Sequence, residues 1–468
     1  MNLKIFKNKN LLTTLVIILL SFFLAIAYSI DQYSINPALA ISGKVQYPDK
    51  LSIYFIQSSN SWSFMTQFVQ MLLQITSSIK VISIILLFIS SLLFFTGIYL
   101  TVKTITSSSI LAIATGFFIM FFRKNFGDID YPTQMFSEHT NGMMGLAIVT
   151  FIFGLINNKN YILLGFFTIF LICVHLTMGL WILLILILTG LFYNYYNRLL
   201  FPYKKIIYGM LIGLIPVLLS FAFFKINTVV ISHEFNQPIY DNYIKYWDGH
   251  RNAYGQLSLL NINYILKSLA LVVLGALSLR YLDFNKNPQV KLFLIFIIFS
   301  VSISFLIYLT YKKFSFFYPD LFVRIIPTRF FIIHSVIGYA VIISLFFLFI
   351  QKTIIKNKIK YISCLSIFLA LIFFYTVSHY KNINLLVSKF LVNIEIIDNN
   401  DDKIFWKKIK EIKTKGYFLT SETTCLNTHS RAFKPIILCP HLIDFIPYLP
   451  ELAEPTQIVM EEIYGHKF

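Results

Sequence analysis

The sequence predicts an all-α polytopic membrane protein of about eleven transmembrane helices, with a small C-terminal α/β extracytoplasmic domain. Three observations predict it. Of 468 residues, 57% are hydrophobic and 13% charged, against about 25% charged in a soluble domain. The apolar residues fall in long blocks, and crossing a bilayer of about 30 Å takes about 20 of them in a row. Finally, the charges sort with the blocks. With the N-terminus inside, the short inner loops gather 15 basic residues and a single acid, Asp283, and the other 20 of the 21 acids fall outside. Basic residues hold cytoplasmic loops in place, so the net charge of +18 is read as topology, with membrane lipids and not nucleic acid as the partner. The oligomeric state is left open.

The blocks run over roughly 11–30, 81–102, 107–122, 141–157, 161–176, 178–195, 206–224, 263–281, 291–311, 330–350 and 361–379. The stretch Tyr161–Tyr195 is read as two helices flanking His175 and Thr177. A single helix of that length overshoots the membrane and would invert the charge pattern beyond it. These spans predict a transmembrane domain over 1–380, N-terminus cytoplasmic, in a plasma (bacterial inner) membrane. Ala25-Ile26-Ala27 resembles a signal-peptidase site, and an uncleaved first helix is the alternative taken.

The long segments 31–80, 123–140, 225–262 and 312–329, and the tail, lie outside on this topology. Trp62 to Ile79 has helical apolar spacing, either lying along the membrane surface or extending the next span. Residues 381–468 form the extracytoplasmic domain. In it, Gly416–Thr420 and Pro435–Cys439 read as strands and about 455–464 as a helix. Cys425 and Cys439 close a short loop that suits a disulfide in an oxidising compartment.

The chemistry-bearing residues also cluster outside. Asp31 follows the first block. Asp128 and Asp130 form an Asp-x-Asp pair, which suits a divalent metal such as Mg or Mn, and Glu138 and His139 follow. A solvated loop explains the same residues. His233, Glu234, Asp241, Asp248, His250 and Arg251 share a loop with Tyr240, Tyr243, Tyr246, Trp247 and Tyr254. Aromatic faces beside polar groups suit sugar rings and equally an interfacial belt. Arg324 and Arg329, with Lys312 and Lys313, run against the topology rule. Arginine forks match phosphate oxygens, and lipid headgroups are the simpler partner. Within the blocks no Asp or Glu occurs; away from the basic residues at the inner block ends, Lys267 lies near a helix end where it can snorkel, and His175 and His334 are the other ionisable candidates in apolar stretches. Buried acids mark proton-driven transporters, so their absence counts against that class.

An acid directly after the first helix, large outer loops, many spans and an extracytoplasmic C-terminal domain resemble the GT-C superfamily of membrane glycosyltransferases. Closer likeness to bacterial polytopic members without an assigned activity runs through Tyr47-Pro48, Asn60-Ser61-Trp62, His139–Gly142, His175–Trp181, Lys434–Leu438, Asp444–Glu451 and Ile463-Tyr464-Gly465. The resemblance implies a polyprenyl-phosphate-linked sugar donor and a catalytic carboxylate at Asp31, with Asp49 second. It also implies an acidic motif at Asp128 and Asp130. The longer signatures of oligosaccharyltransferases and protein mannosyltransferases are missing from the sequence. A surface-polysaccharide polymerase or ligase, a lipid or polysaccharide flippase, and a scaffold are the alternatives.

Overall fold

The structure is a computed structural model and describes residues 9–49, 52–121, 135–197, 201–248, 262–282, 284, 288–314, 330–354, 366, 380–395, 400–413, 415–421 and 424–467. Its first eleven helices are α1 (Lys9–Ala27), α2 (Ile35–Ile41), α3 (Ile53–Asn60), α4 (Phe64–Ile75), α5 (Ile79–Thr106), α6 (Ser109–Phe121), α7 (Thr140–Asn157), α8 (Tyr161–Val174), α9 (Leu176–Asn197), α10 (Tyr203–Asn227) and α11 (Gln237–Tyr246). Then follow α12 (Ile262–Tyr281), α13 (Pro288–Phe314), α14 (Phe330–Ile354), α15 (Tyr380–Glu395), α16 (Asn400–Glu411), α17 (Cys425–Ala432) and α18 (Ala453–Ile458).

Ten of the eleven apolar blocks are helical, and the block at 361–379 lies outside the described residues apart from residue 366. Among the described residues, five helices are long and apolar enough to cross a membrane: Ile79–Thr106, Thr140–Asn157, Leu176–Tyr195, Tyr203–Asn227 and Pro288–Thr310. Others present shorter apolar stretches among the described residues, as at Tyr161–Val174. Fourteen residues rise only about 21 Å.

Local chemistry explains the breaks. The stretch 161–195 is two helices, because His175 is extended (φ −151°, ψ 95°) and ends α8 before α9 begins. Ser52, Ser63, Ser78, Asn160 and Asn236 each accept the backbone N–H three residues on, capping α3, α4, α5, α8 and α11, which satisfies an otherwise orphaned donor. Ser63 starts α4 and extended Thr76 ends it, so the stretch after Trp62 is a separate helix and not an extension of α5. It is tied to α10: Trp62 Nε1 donates to Ser220 Oγ at 3.0 Å and Gln67 Nε2 to the Ser220 carbonyl at 2.8 Å.

Small residues set the closest helix crossings. A Cβ on Gly209 of α10 would run into the backbone of Ile162 on α8, and one on Gly97 of α5 into that of Thr150 on α7. Backbones approach this closely only where side chains are absent. Around these crossings, α5, α7 and α13 bury Phe94, Phe153, Phe293 and Phe296 in the main core.

The tail departs from the α/β expectation. Among the described residues no β-strand forms, and the two strand-like stretches meet in one parallel bridge, Phe418 to Ile436. The second stretch lies between Pro435 and Pro440, and proline removes a ladder donor. Nor does the tail keep a core to itself. Leu438, Phe445, Ile446, Leu452 and Met460 pack with Ile53 and Ile56 of α3 and with Tyr240 and Tyr243 of α11. Ser52 Oγ donates to the Ile436 carbonyl at 2.8 Å, and Tyr54 N–H to that of Ile437 at 3.0 Å. Cys425 and Cys439 are disulfide-bonded, as their spacing suggested, with Cα atoms 5.6 Å apart.

Candidate functional site

The first loop and the segment entering α7 are joined side by side. Tyr33 N–H donates to the Glu138 carbonyl at 2.9 Å, and its hydroxyl donates to Glu138 Oε1 at 2.6 Å. Gln32 Nε2 donates to the Ser137 carbonyl at 3.0 Å, and Ser34 N–H to Thr140 Oγ1 at 3.2 Å. The Tyr33 ring meets the His139 ring edge-on at 4.6 Å. These bonds join positions more than a hundred residues apart, so they define the local architecture.

Beside this seam opens a cavity of about 290 Å³. Tyr33, Ser34 and Pro37 line it from the first loop and α2, and Tyr54, Gln57 and Ser58 from α3. His139 to Gly142 come from the start of α7, His175 from the α8–α9 break, and Asp444 from the tail. Ser63, also in the lining, donates its hydroxyl to Asn141 Oδ1 at 3.0 Å. His175 reaches the cavity because the helix is interrupted there. Gly145 leaves the room it needs, since a Cβ on Gly145 would stand 3.2 Å from that of His175.

Burial raises the Tyr33 hydroxyl above its usual range. The hydrogen bond to Glu138, the Glu138 charge and then the Asp444 charge push it the same way. Burial likewise raises Tyr54. Both tyrosines therefore stay protonated, and Tyr33 donates its hydroxyl to Glu138. Two imidazoles, a carboxylate, phenols, hydroxyls and two amides thus share one small concavity. That set suits recognition of a polyol, and imidazoles and carboxylates are the usual carriers of general acid–base chemistry.

His139 lies in the lining, and Glu138 stands behind it, bonded to Tyr33. Asp31 is outside the lining and faces Arg431 of α17 at 3.6 Å, with both side chains partly exposed. Asp49 is bonded to the Tyr417 hydroxyl. Asp128, Asp130, His250, Arg251, Arg324 and Arg329 lie outside the described residues. The Mg or Mn expectation rested on Asp128 and Asp130. Among the described residues, no group of three or more His, Cys, Asp or Glu gathers as a metal site.

Tyr240 and Tyr243, expected to suit a sugar ring, are buried against the tail. Tyr243 Oη donates to the Ile443 carbonyl at 2.9 Å, and Trp247 Nε1 donates to that of Lys467 at 3.1 Å. Tyr33, Tyr54 and Asp444 are the ionisable lining residues to which the sequence assigned no role. Only Asp444 carried a signal, as the first residue of the Asp444–Glu451 stretch.

No protein family, curated protein or solved structure matches the chain. The fold and site therefore define an all-helical chain of membrane type whose loops and tail enclose a polar, histidine-bearing cavity.

Proposed function

We propose that the protein is a GT-C-like glycosyltransferase, moving a sugar from a polyprenyl-phosphate-linked donor onto an acceptor at the extracytoplasmic face of an eleven-span membrane domain. The observation that carries this reading is the cavity of about 290 Å³, where tyrosine, histidine and carboxylate side chains from the first loop, α7 and the tail converge. Its volume is near the lower end of small-molecule sites, about 300–1,000 Å³, and fits a single sugar ring. The loop-and-tail side is assigned outward by the sorting of basic residues into the opposite loops. The Cys425–Cys439 disulfide supports the same side, since such bonds persist in oxidising compartments.

In the proposed reaction an acceptor hydroxyl oxygen attacks the anomeric carbon as the bond from that carbon to the phosphate oxygen breaks. The electron pair leaves with the polyprenyl phosphate, and a carboxylate takes the acceptor proton. Asp444 is the carboxylate presented in the cavity. Asp31, the one the GT-C resemblance points to, lies two residues from Tyr33 and becomes available when its contact with Arg431 opens. Arg324 and Arg329 are the candidates to hold the leaving phosphate.

The test is transfer of radiolabelled sugar from polyprenyl-phosphate donors by the full chain in nanodiscs. The expected result is turnover that falls at least about a hundredfold in Asp444→Asn or Asp31→Asn, in line with the usual worth of acid–base catalysis, while both variants still insert. Full activity in both variants, or no turnover with a panel of hexosyl and pentosyl donors, overturns the proposal. A lipid pyrophosphate product instead of a monophosphate points to a polymerase or ligase.

A further inference from the structure

A second and larger concavity lies where the tail meets the loop after α2. It encloses about 720 Å³ and is lined by Lys44, Lys410, Lys415 and Lys434, with aromatic walls from Tyr47 and Phe433, among others. Four ammonium groups thus border one cleft, and no carboxylate lines it among the described residues. The nearest acid in sequence to Tyr47, Asp49, already accepts the Tyr417 hydroxyl. Lys410 stands over the Phe433 ring at 4.7 Å, and Lys434 donates to the Ile412 carbonyl at 2.6 Å. Lys44 and Lys415 are exposed and make no hydrogen bond or ion pair with another described residue.

We propose that this cleft binds a phosphate-bearing ligand. Like charges drawn together without a counter-charge repel one another, and an anion in the cleft relieves that repulsion. Lysine ammonium groups donate readily to phosphate oxygens. The volume exceeds what one phosphate fills, and the aromatic walls suit a ring attached to it. The cleft is lined by different residues from the histidine-bearing cavity, except that both adjoin the layer around His429: Tyr47 lines one, Tyr54 lines the other, and each ring lies beside His429. The binding is independent of glycosyl transfer and is read without turnover.

The experiment titrates inorganic pyrophosphate into the full chain in nanodiscs of neutral phosphatidylcholine, at low salt, by calorimetry. The expected result is saturable binding that weakens at least about tenfold in the Lys44→Gln/Lys415→Gln double variant, an effect of the size expected when charge-assisted hydrogen bonds are lost. Lys389→Gln, a substitution of an exposed lysine on α15, leaves it unchanged. Because Lys44 and Lys415 are exposed, the double variant keeps wild-type hydrogen exchange in the tail. Absent saturable binding, or equal binding in the double variant, overturns the proposal. A phosphate from a lipid headgroup is distinguished by repeating the titration with anionic phosphatidylglycerol in the disc. Competition then assigns the site to a headgroup, and undiminished pyrophosphate binding assigns it to a soluble phosphate.

Discussion

Acidification should loosen the tail through one residue, His429. Its side chain is fully buried on α17, its Nδ1 lies 3.3 Å from Asn36 Oδ1, and its Nε2 has no hydrogen-bond partner among the described residues. The groups packed around it, the Tyr47 and Tyr54 rings, carry no charge in acid. Burial therefore pulls its pKa from 6.5 down to about 3. The folded state keeps the imidazole neutral while the undocked state takes up a proton, so the stabilisation is complete above pH 6.5 and declines as pH falls from 6.5 toward 3. The slope is at most about 1.4 kcal/mol per pH unit, and from pH 7.5 to 5 the accumulated loss is about 2 kcal/mol. Hydrogen exchange of the α17 amides reads this directly. After correction for intrinsic rates, their protection should fall about thirtyfold over that interval, and in His429→Gln it should not respond to pH there. Protection that is flat in the wild-type chain, or that falls equally in the variant, refutes the argument that this buried imidazole couples pH to tail docking.

Three further outcomes follow from the packing. Reducing the Cys425–Cys439 bond, which spans a separation of 14 residues, should lower the stability of the docked tail by about 3 kcal/mol, read as faster proteolysis between α16 and α18 in reductant. Gly209→Leu places a side chain against the backbone of Ile162 and should cost about 3 kcal/mol or more by overpacking, read as a lowered Tm in detergent, whereas the same change at Gly43, with open space around it and φ of +70°, costs only the backbone strain. Tyr33→Phe removes the hydroxyl that donates to Glu138 Oε1 and should cost about 1.5–3 kcal/mol without separating the loop from α7, because the Tyr33 N–H bond to the Glu138 carbonyl remains. A Tm unchanged by Tyr33→Phe would show the carboxylate satisfied by water instead.

How much of this was legible in the sequence depends on which force sets each feature. The helical blocks are a local property of hydropathy and were readable in the ten that the structure describes. So was the break at His175, because length alone forbade a single span. The disulfide was readable as a spacing. Among its described residues the tail forms one bridge and no strand, for a physical reason. Ile436 and Leu438 are β-prone, but strands need partners, and these residues instead bury their side chains against Tyr54, Ile53, Ile56 and Tyr243, all remote in sequence. The cavity was half legible: His139 was marked by its place after a short acidic segment, and His175 by being ionisable in an apolar stretch. Tyr33 enters the site through its bonds to Glu138, more than a hundred residues away, and Asp444 joins Tyr54 there because the tail folds back over α3, with hydrogen bonds such as Ser52 to Ile436 spanning most of the chain. No local pattern encodes such a contact. The same fold-back explains why Asp31 meets Arg431, residues whose separation hides the pairing from any reading of the loop alone. The partner of an acid placed after a first helix is thus supplied four hundred residues later by Arg431, while the carboxylate that lines the cavity is Asp444, from the same tail.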